Sequence, residues 1–323
     1  MAKTIKIDKI NKRIIFELDR DARQTANEIA KKIGISRDAV AYRTRQLEKN
    51  GYIQGYYTLI DPIKLGYKLI RLYLKFKNTT LDIEKEIAEF LVNEKSTLTV
   101  YDTEGNWDLA VGFLYKDLSQ FYDYYMEFKK KYRPHIHEEN FSMFIEYVIY
   151  NKNYLVDEKY RDLSVKSTFR SKEEKIDEEN LKLLRLLAEN ARMPLLEMAQ
   201  KMDMSSMAVK YRIKKLEEKK VILGYKAMIN HAKLGYEYYK VDFILDDVNK
   251  VSSFRQFGKM HPNVVYEDRA AGGSDFEFDL ELKSHDDFLA IIHELKKLFP
   301  GVIRTYKYYK ASRIHKYVYL PPE

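Results

Sequence analysis

The chain has 323 residues, 45% of them hydrophobic and 33% charged, with no cysteine and a formal net charge of +8. This balance excludes a disordered chain and implies roughly two to four globular domains. The missing thiols exclude disulfides, thiol catalysis and thiolate metal sites, and no apolar run nears the ~18 residues of a membrane span.

In chain order, Asp8 stands before Ile14, Ile15 and Leu18 as the N-cap of a helix running to about Arg20. Thr25 and Glu28 make a capping box for a short second helix striped by Ile29 and Ile33. Gly34 supplies a turn, and Ser36 caps a third helix on which Val40 and Leu47 face inward. Arg37, Asp38, Ala41, Tyr42 and Arg45 then point outward, as on a helix that enters a DNA major groove. Asn50-Gly51 stops that helix, and residues 53–60 alternate like a strand, the expected wing, closed by Asp61-Pro62.

From Tyr67 the period changes. A strand at 69–77 puts Ile70, Leu72, Leu74 and Phe76 on one face, and a helix follows at about 82–94. Strands at 97–102 and 107–114, a helix on Leu118, Phe121, Tyr122, Tyr125 and Phe128, and a long strand at 136–150 complete the order βαββαβ. That order predicts a ferredoxin-like plait. Residues 151–174 are polar and serine-containing and read as a linker or an extended arm.

The pattern then restarts. Shifted by 169 residues, Lys6–Tyr67 aligns without a gap to Lys175–Tyr236, with 25 of 62 positions identical. A second βαββαβ follows, with strands at 238–245, 264–268, 276–282 and 302–310 and helices near 251–260 and 288–299. The expected fold class is α+β, two winged helix-turn-helix domains alternating with two ferredoxin-like domains. The expected boundaries are 1–62, 63–150, a linker at 151–174, 175–231 and 232–323.

The charge follows the repeat. Residues 1–60 carry 13 basic and seven acidic side chains and residues 170–230 carry 14 and ten, so the remainder of the chain is slightly negative. A phosphate-binding module needs that distribution.

Asp8…Arg23…Glu28-Ile-Ala…Gly34-Ile-Ser36…Val40…Arg43…Leu47-Glu…Gly51-Tyr-Ile53…Gly66 resembles the Lrp/AsnC family of archaeal and bacterial transcription regulators. The resemblance covers nearly the whole chain, twice over. It implies a DNA-binding winged helix followed by a ligand-sensing plait whose third strand is preceded by Gly-x-x-Asp. Here those turns are Gly105-Asn-Trp-Asp108 and Gly272-Gly-Ser-Asp275. Ordinary members carry one such unit and dimerise through the plaits, so the fusion points to a pseudo-dimer within one chain, with a homodimer as the alternative. Acidic Asp275, Glu277, Asp279 and Glu281 on one strand and Arg71, Lys75 and Lys77 on another favour pairing of unlike sheets. Equally, those charges can pair within their own sheets or face water.

The expected DNA contacts in the first unit are Ser36, Arg37, Tyr42 and Arg45, with Arg43 as a phosphate contact or intradomain partner. In the second unit they are Ser206, Lys210, Tyr211 and Lys214, a set without arginine. There Pro194 replaces Thr25, Asp203 replaces Gly34 and Lys220 replaces Gly51, so the first unit is expected to be the main reader. Asp108 and Asp275 either border an amino-acid effector pocket, as the resemblance implies, or cap their own turns. His135 and His137 share a strand face but read as a surface strand end, so neither a metal nor a cofactor is expected.

The expected partners are double-stranded DNA, an amino-acid effector and the basal transcription machinery, with no membrane. Met-Ala-Lys-Thr-Ile-Lys lacks the apolar core of a signal peptide, which points to the cytoplasm. No nucleophile–base set or phosphate loop marks an enzyme. Fused proteins similar to the family act as sirohaem decarboxylases, using His and Arg after the second plait strand. This chain has Tyr101-Asp-Thr-Glu and Tyr266-Glu-Asp-Arg269 there. A scaffold that recruits basal transcription factors is the third reading.

Overall fold

Local signals at the start of the chain build a three-helix unit, as a computed structural model describing residues 7–156 and 164–320 shows. Asp8 caps α1 (Lys9–Arg20), its Oδ1 accepting the Asn11 amide at 2.7 Å. Thr25 and Glu28 form the reciprocal capping box of α2 (Ala26–Ile33), and Gly34 closes that helix in the left-handed region. Ser36 caps α3 (Arg37–Lys49), which leads into β1 (Ile53–Ile60).

The first plait is β2 (Lys68–Phe76), α4 (Leu81–Asn93), β3 (Thr97–Gly105), β4 (Leu109–Tyr115), α5 (Leu118–Tyr132) and β5 (Ile136–Tyr150). Ile70, Leu72 and Leu74 of β2 pack with Ile87 and Leu91 of α4 and Phe128 of α5, so the alternation of that strand sets the core face. The span 151–174 differs from the expected linker. It holds a 3-10 turn at Asn153–Leu155 and a strand, β6 (Ser164–Thr168), antiparallel to β5. Residues 157–163 of that predicted linker, and residues 1–6 and 321–323 of the outer predicted domains, lie outside the described residues.

The second three-helix unit is α6 (Glu178–Glu189), α7 (Leu195–Met202) and α8 (Ser206–Glu218), followed by β7 (Ile222–Ile229). Asp203 and Lys220 hold the left-handed conformation that Gly34 and Gly51 hold in the first unit. The backbone path is therefore kept although the glycines are gone, at a cost on the order of 1 kcal/mol for each residue. The second plait is β8 (Glu237–Leu245), α9 (Val251–Met260), β9 (Val264–Ala271), β10 (Phe276–Leu282), α10 (His285–Leu298) and β11 (Ile303–Tyr317).

The two plaits share one sheet. Its order is β2-β4-β3-β11-β8-β10-β9-β5-β6, and β2 also pairs with β5. Eight strands therefore close into a ring, with β6 branching from β5, and all the pairings are antiparallel. A single dyad relates the halves. Tyr147 faces Asp268 on one seam and Ile314 faces Tyr101 on the other, the same register shifted by 167 residues.

The expected wings are also shared. β1 does not form a wing within its own unit; it pairs antiparallel with β7, and Tyr57 faces Lys226, its own equivalent 169 residues on. Ala227 and Ile229 of β7 then complete the core of the first three-helix unit, beside Ile14, Ile29, Val40 and Leu47. Ile60 of β1 completes the second, beside Leu183, Met198, Val209 and Leu216. The reason is apolar burial: each strand has one face to cover, and the helices of the opposite unit offer the complementary surface. The Thr58 hydroxyl donates to the Leu187 carbonyl at 2.7 Å, and the Lys226 ammonium to the Asp19 carbonyl at 2.8 Å, so polar bonds cross in both directions.

Candidate nucleic-acid interface

The outward face of α3 is set by what faces inward. Val40, Thr44 and Leu47 are buried, which leaves Arg37, Tyr42 and Arg45 exposed. None of these three makes an ion pair or hydrogen bond with another described residue, so their polar groups are available to a ligand. Ser36 is also exposed, but its hydroxyl accepts the Ala39 amide at 3.2 Å as the helix cap. Arg43 departs from the groove set. Its guanidinium donates to Asp8 at 2.8 Å and to Asn11 at 2.9 Å, tying α3 to α1, because position 43 lies on the flank of the helix nearest α1. Arg212 does the same in the second unit, reaching Asp177 at 3.1 Å and Asn180 at 3.2 Å.

The face of α8 carries Met207, Lys210, Tyr211 and Lys214, all exposed, while Ser206 is half-buried. Lys214 lies 3.9 Å from Glu218 one turn away, and the Lys215 ammonium sits 5.6 Å from the Tyr211 ring. At such exposure these contacts hold the side chains only loosely. Ser205, not Ser206, is the cap of this helix, accepting the Ala208 amide at 3.1 Å. Met207 stands where the first unit has Asp38, outside the expected DNA contacts, and its spacing of four residues from Tyr211 places both on one face.

Asp108 and Asp275 perform a common structural task. Asp108 accepts the Phe76 amide and the Lys75 ammonium, each at 2.7 Å, and Asp275 accepts the Leu245 amide at 2.8 Å. Each thereby caps the end of the first strand of its own plait. The glycines of the same turns serve the closure of the ring. A Cβ on Gly105 would meet the Tyr308 carbonyl at 2.8 Å, and one on Gly272 would meet the Phe141 carbonyl at 2.8 Å. Both glycines also have positive φ, so the turn needs glycine for conformation and for contact. Asp275 additionally borders a shallow cleft of about 290 Å³ lined by Thr168, Arg170, Arg269 and Ser274.

Inside the ring lies a charged cluster. Arg71 of β2 makes a bidentate pair with Glu277 of β10, and its Nε donates to Ser142 at 3.0 Å. This is the expected pairing between unlike sheets. Two of the other charges stay local, Lys75 going to Asp108 and Asp279 to Lys240, whereas Glu281 crosses to Lys152 and Tyr154 in the segment that follows the first plait. Burial opposes the charge on Lys240, but Asp268 at 2.8 Å, Asp279 at 2.7 Å and Glu277 at 2.9 Å outweigh it and hold the ammonium charged. Lys240, Asp242 and Asp268 were not legible as a site, because an alternating polar strand face reads as solvated until a second sheet covers it.

Burial pushes Asp242 and Asp268 both up to about 7. Asp268 has the Lys240 ammonium beside it at 2.8 Å, whereas Asp242 forms no ion pair among the described residues and so has less to hold its charge. The unfolded chain gives up the Asp242 proton near pH 4. The contribution of Asp242 to stability is therefore complete below about pH 4 and lost as pH rises through about 7. Thermal unfolding followed from pH 4 to pH 8 is expected to show a falling midpoint, and Asp242→Asn to flatten the slope.

A family model described as winged helix-turn-helix DNA-binding matches residues 7–54 and 176–222. The HTH-type transcriptional regulator LrpA of Pyrococcus horikoshii is 50% identical over 64 residues, which is 20% of this chain and 45% of that protein. The match therefore spans less than half of LrpA. The HTH-type transcriptional regulator FL11 of the same organism is 32% identical over 108 residues, 33% of this chain and 70% of that one. Among solved structures, the siroheme decarboxylase NirDL superposes with a TM-score of 0.63 over 96% of this chain and 93% of its own, at 14% identity. That likeness shows a shared fold. No helix among the described residues is long and apolar enough to cross a membrane.

Proposed function

The chain belongs to the Lrp/AsnC family of transcription regulators, and we propose that it binds a bipartite operator as a pseudo-dimer within one chain. Residues 1–62 and 175–231 are on this reading the DNA-binding units, with α3 the main reader. Residues 63–150 and 232–323 form the fused dimer core. The observation that supports it best is the shared dyad. The β1–β7 ribbon and both seams of the ring obey the same twofold register, so α3 and α8 are presented as symmetry mates. Two mates on one dyad suit half-sites about one helical turn apart, or a multiple of it.

An amino-acid effector suits the cleft beside Asp275, where exposed Arg170 offers a cation for a carboxylate and Asp275 an anion for an ammonium, Arg269 being paired with Glu146 at 2.8 Å. No catalytic step is assigned. Light scattering at several concentrations, with footprinting on a selected duplex, tests the reading. A constant single-chain mass and two protected half-sites are expected. A protein that binds sirohaem and leaves every duplex unprotected overturns it.

A further inference from the structure

We propose that the two recognition helices read unlike half-sites: α3 a guanine- and cytosine-containing one, and α8 a thymine-rich one whose 5-methyl groups pack on Met207. This rests on the DNA-binding reading above and deepens it. The two helices are geometrically matched. Each has 13 residues, each is capped by the serine before it, and Val40 and Leu47 are buried at the same positions as Val209 and Leu216. Residues 169 apart therefore meet the duplex in the same way, and differences in side chain become differences in the base that is read.

Those differences are systematic. Arg37 becomes Ser206, Asp38 becomes Met207, Ala41 becomes Lys210 and Arg45 becomes Lys214, while Tyr42 and Tyr211 are common to both. Arginine forks match the O6 and N7 of guanine, and an aspartate accepts from the N4 amino group of cytosine, so α3 carries three groups suited to G·C pairs. The face of α8 has neither. Lys210 and Lys214 are flexible point charges suited to phosphates, and the Ser206 hydroxyl is tolerant of either base pair type.

Met207 is 77% exposed in the free protein, an apolar side chain left in water on a helix whose equivalent position is charged in the other unit. Contact with a thymine methyl removes that surface from water, and the unbranched thioether adapts to its position. Leu196 of α7, 65% exposed where the first unit has Asn27, shifts the second unit in the same apolar direction.

Selection of the full-length protein against a randomised duplex library tests the inference. The expected product is an asymmetric site with guanine and cytosine specified in one half and thymine in the other. Replacing those thymines with deoxyuridine, which removes only the methyl group, should weaken binding about three- to fivefold per contacted base. Met207→Ala should lose that sensitivity. The quadruple change S206R/M207D/K210A/K214R gives α8 the face of α3 and should convert the selected site to a symmetric one. Symmetric half-sites for the unaltered protein, or indifference to deoxyuridine, would overturn this inference alone. Failure to enrich any sequence would overturn the DNA-binding reading beneath it.

Discussion

Replacing Arg37 and Arg45 together with alanine should cut sharply the preference of the protein for its operator over unrelated duplex while leaving the fold intact. Both side chains are exposed and neither supports the packing of α3, whose buried residues are Val40, Thr44 and Leu47. Alanine is also the better helix former, so the helix is not weakened. Each arginine–guanine fork discriminates by about 1–3 kcal/mol, so the double change costs on the order of 10²-fold or more in specificity. Fluorescence anisotropy on operator and scrambled duplexes reads that ratio directly. Two controls separate the roles of the other cations. Arg43→Ala should lower the unfolding midpoint and leave the ratio unchanged, because Arg43 is spent on Asp8 and Asn11. Lys210→Ala with Lys214→Ala should reduce the slope of affinity against salt by about two phosphate equivalents, with little change in the ratio.

Glu277→Ala is the second large effect, and it falls on stability. The substitution leaves Arg71 buried with Asp268 at 3.8 Å as its nearest anion, and takes from Lys240 one of three carboxylates. Breaking a buried ion pair from one side costs about 3–5 kcal/mol, since the stranded charge has lost its water as well as its partner. The β5–β9 seam, flanked by β2 and β10, should be the first region to open, which hydrogen exchange on β5 and β9 would report. Substituting both partners, as R71M/E277L, should recover most of the loss, because apolar side chains of similar volume carry no desolvation penalty. Equal destabilisation by the single and the double change would show that the pair matters for shape and not for charge.

Much of the fold was legible because its signals are short-range. Asp8, Thr25 with Glu28, Gly34 and Ser36 act within four residues of the helix ends they define. The long strand at 136–150 was equally clear from its alternation. Partner choice was not legible. Alternation tells which face of a strand is covered but not by what, so β1 was expected as a wing of its own unit while it lies on β7, some 169 residues away. β6 escaped notice because Ser164-Val-Lys-Ser-Thr168 is short and polar, and its place on β5 is set by tertiary pairing.

The candidate site divides along the same line. Exposure of Arg37, Tyr42 and Arg45 follows from helical periodicity, but the turn of Arg43 toward α1 depends on a contact 35 residues away. Asp108 and Asp275 carry family-like spacing, and the contacts that occupy them arise only when the strands are assembled. The charge argument was half legible for the same reason. Opposite signs on two strands identified Arg71 and Glu277, while Lys240 captured Asp279 before any cation of the other plait could.

Joining both halves in one chain changes how occupancy of a DNA site depends on the amount of protein. A regulator assembled from two separate subunits loses its active form on dilution, and its occupancy at low abundance rises with the square of monomer concentration. Here the partner of β1 is β7 of the same molecule, present at a fixed effective concentration however few copies exist. On the single-chain reading proposed above, occupancy then rises in simple proportion to copy number, and each molecule delivers one copy of each recognition helix. Such a switch trades steepness for constancy at low expression, and it lets the two helices diverge without ever producing mismatched pairs.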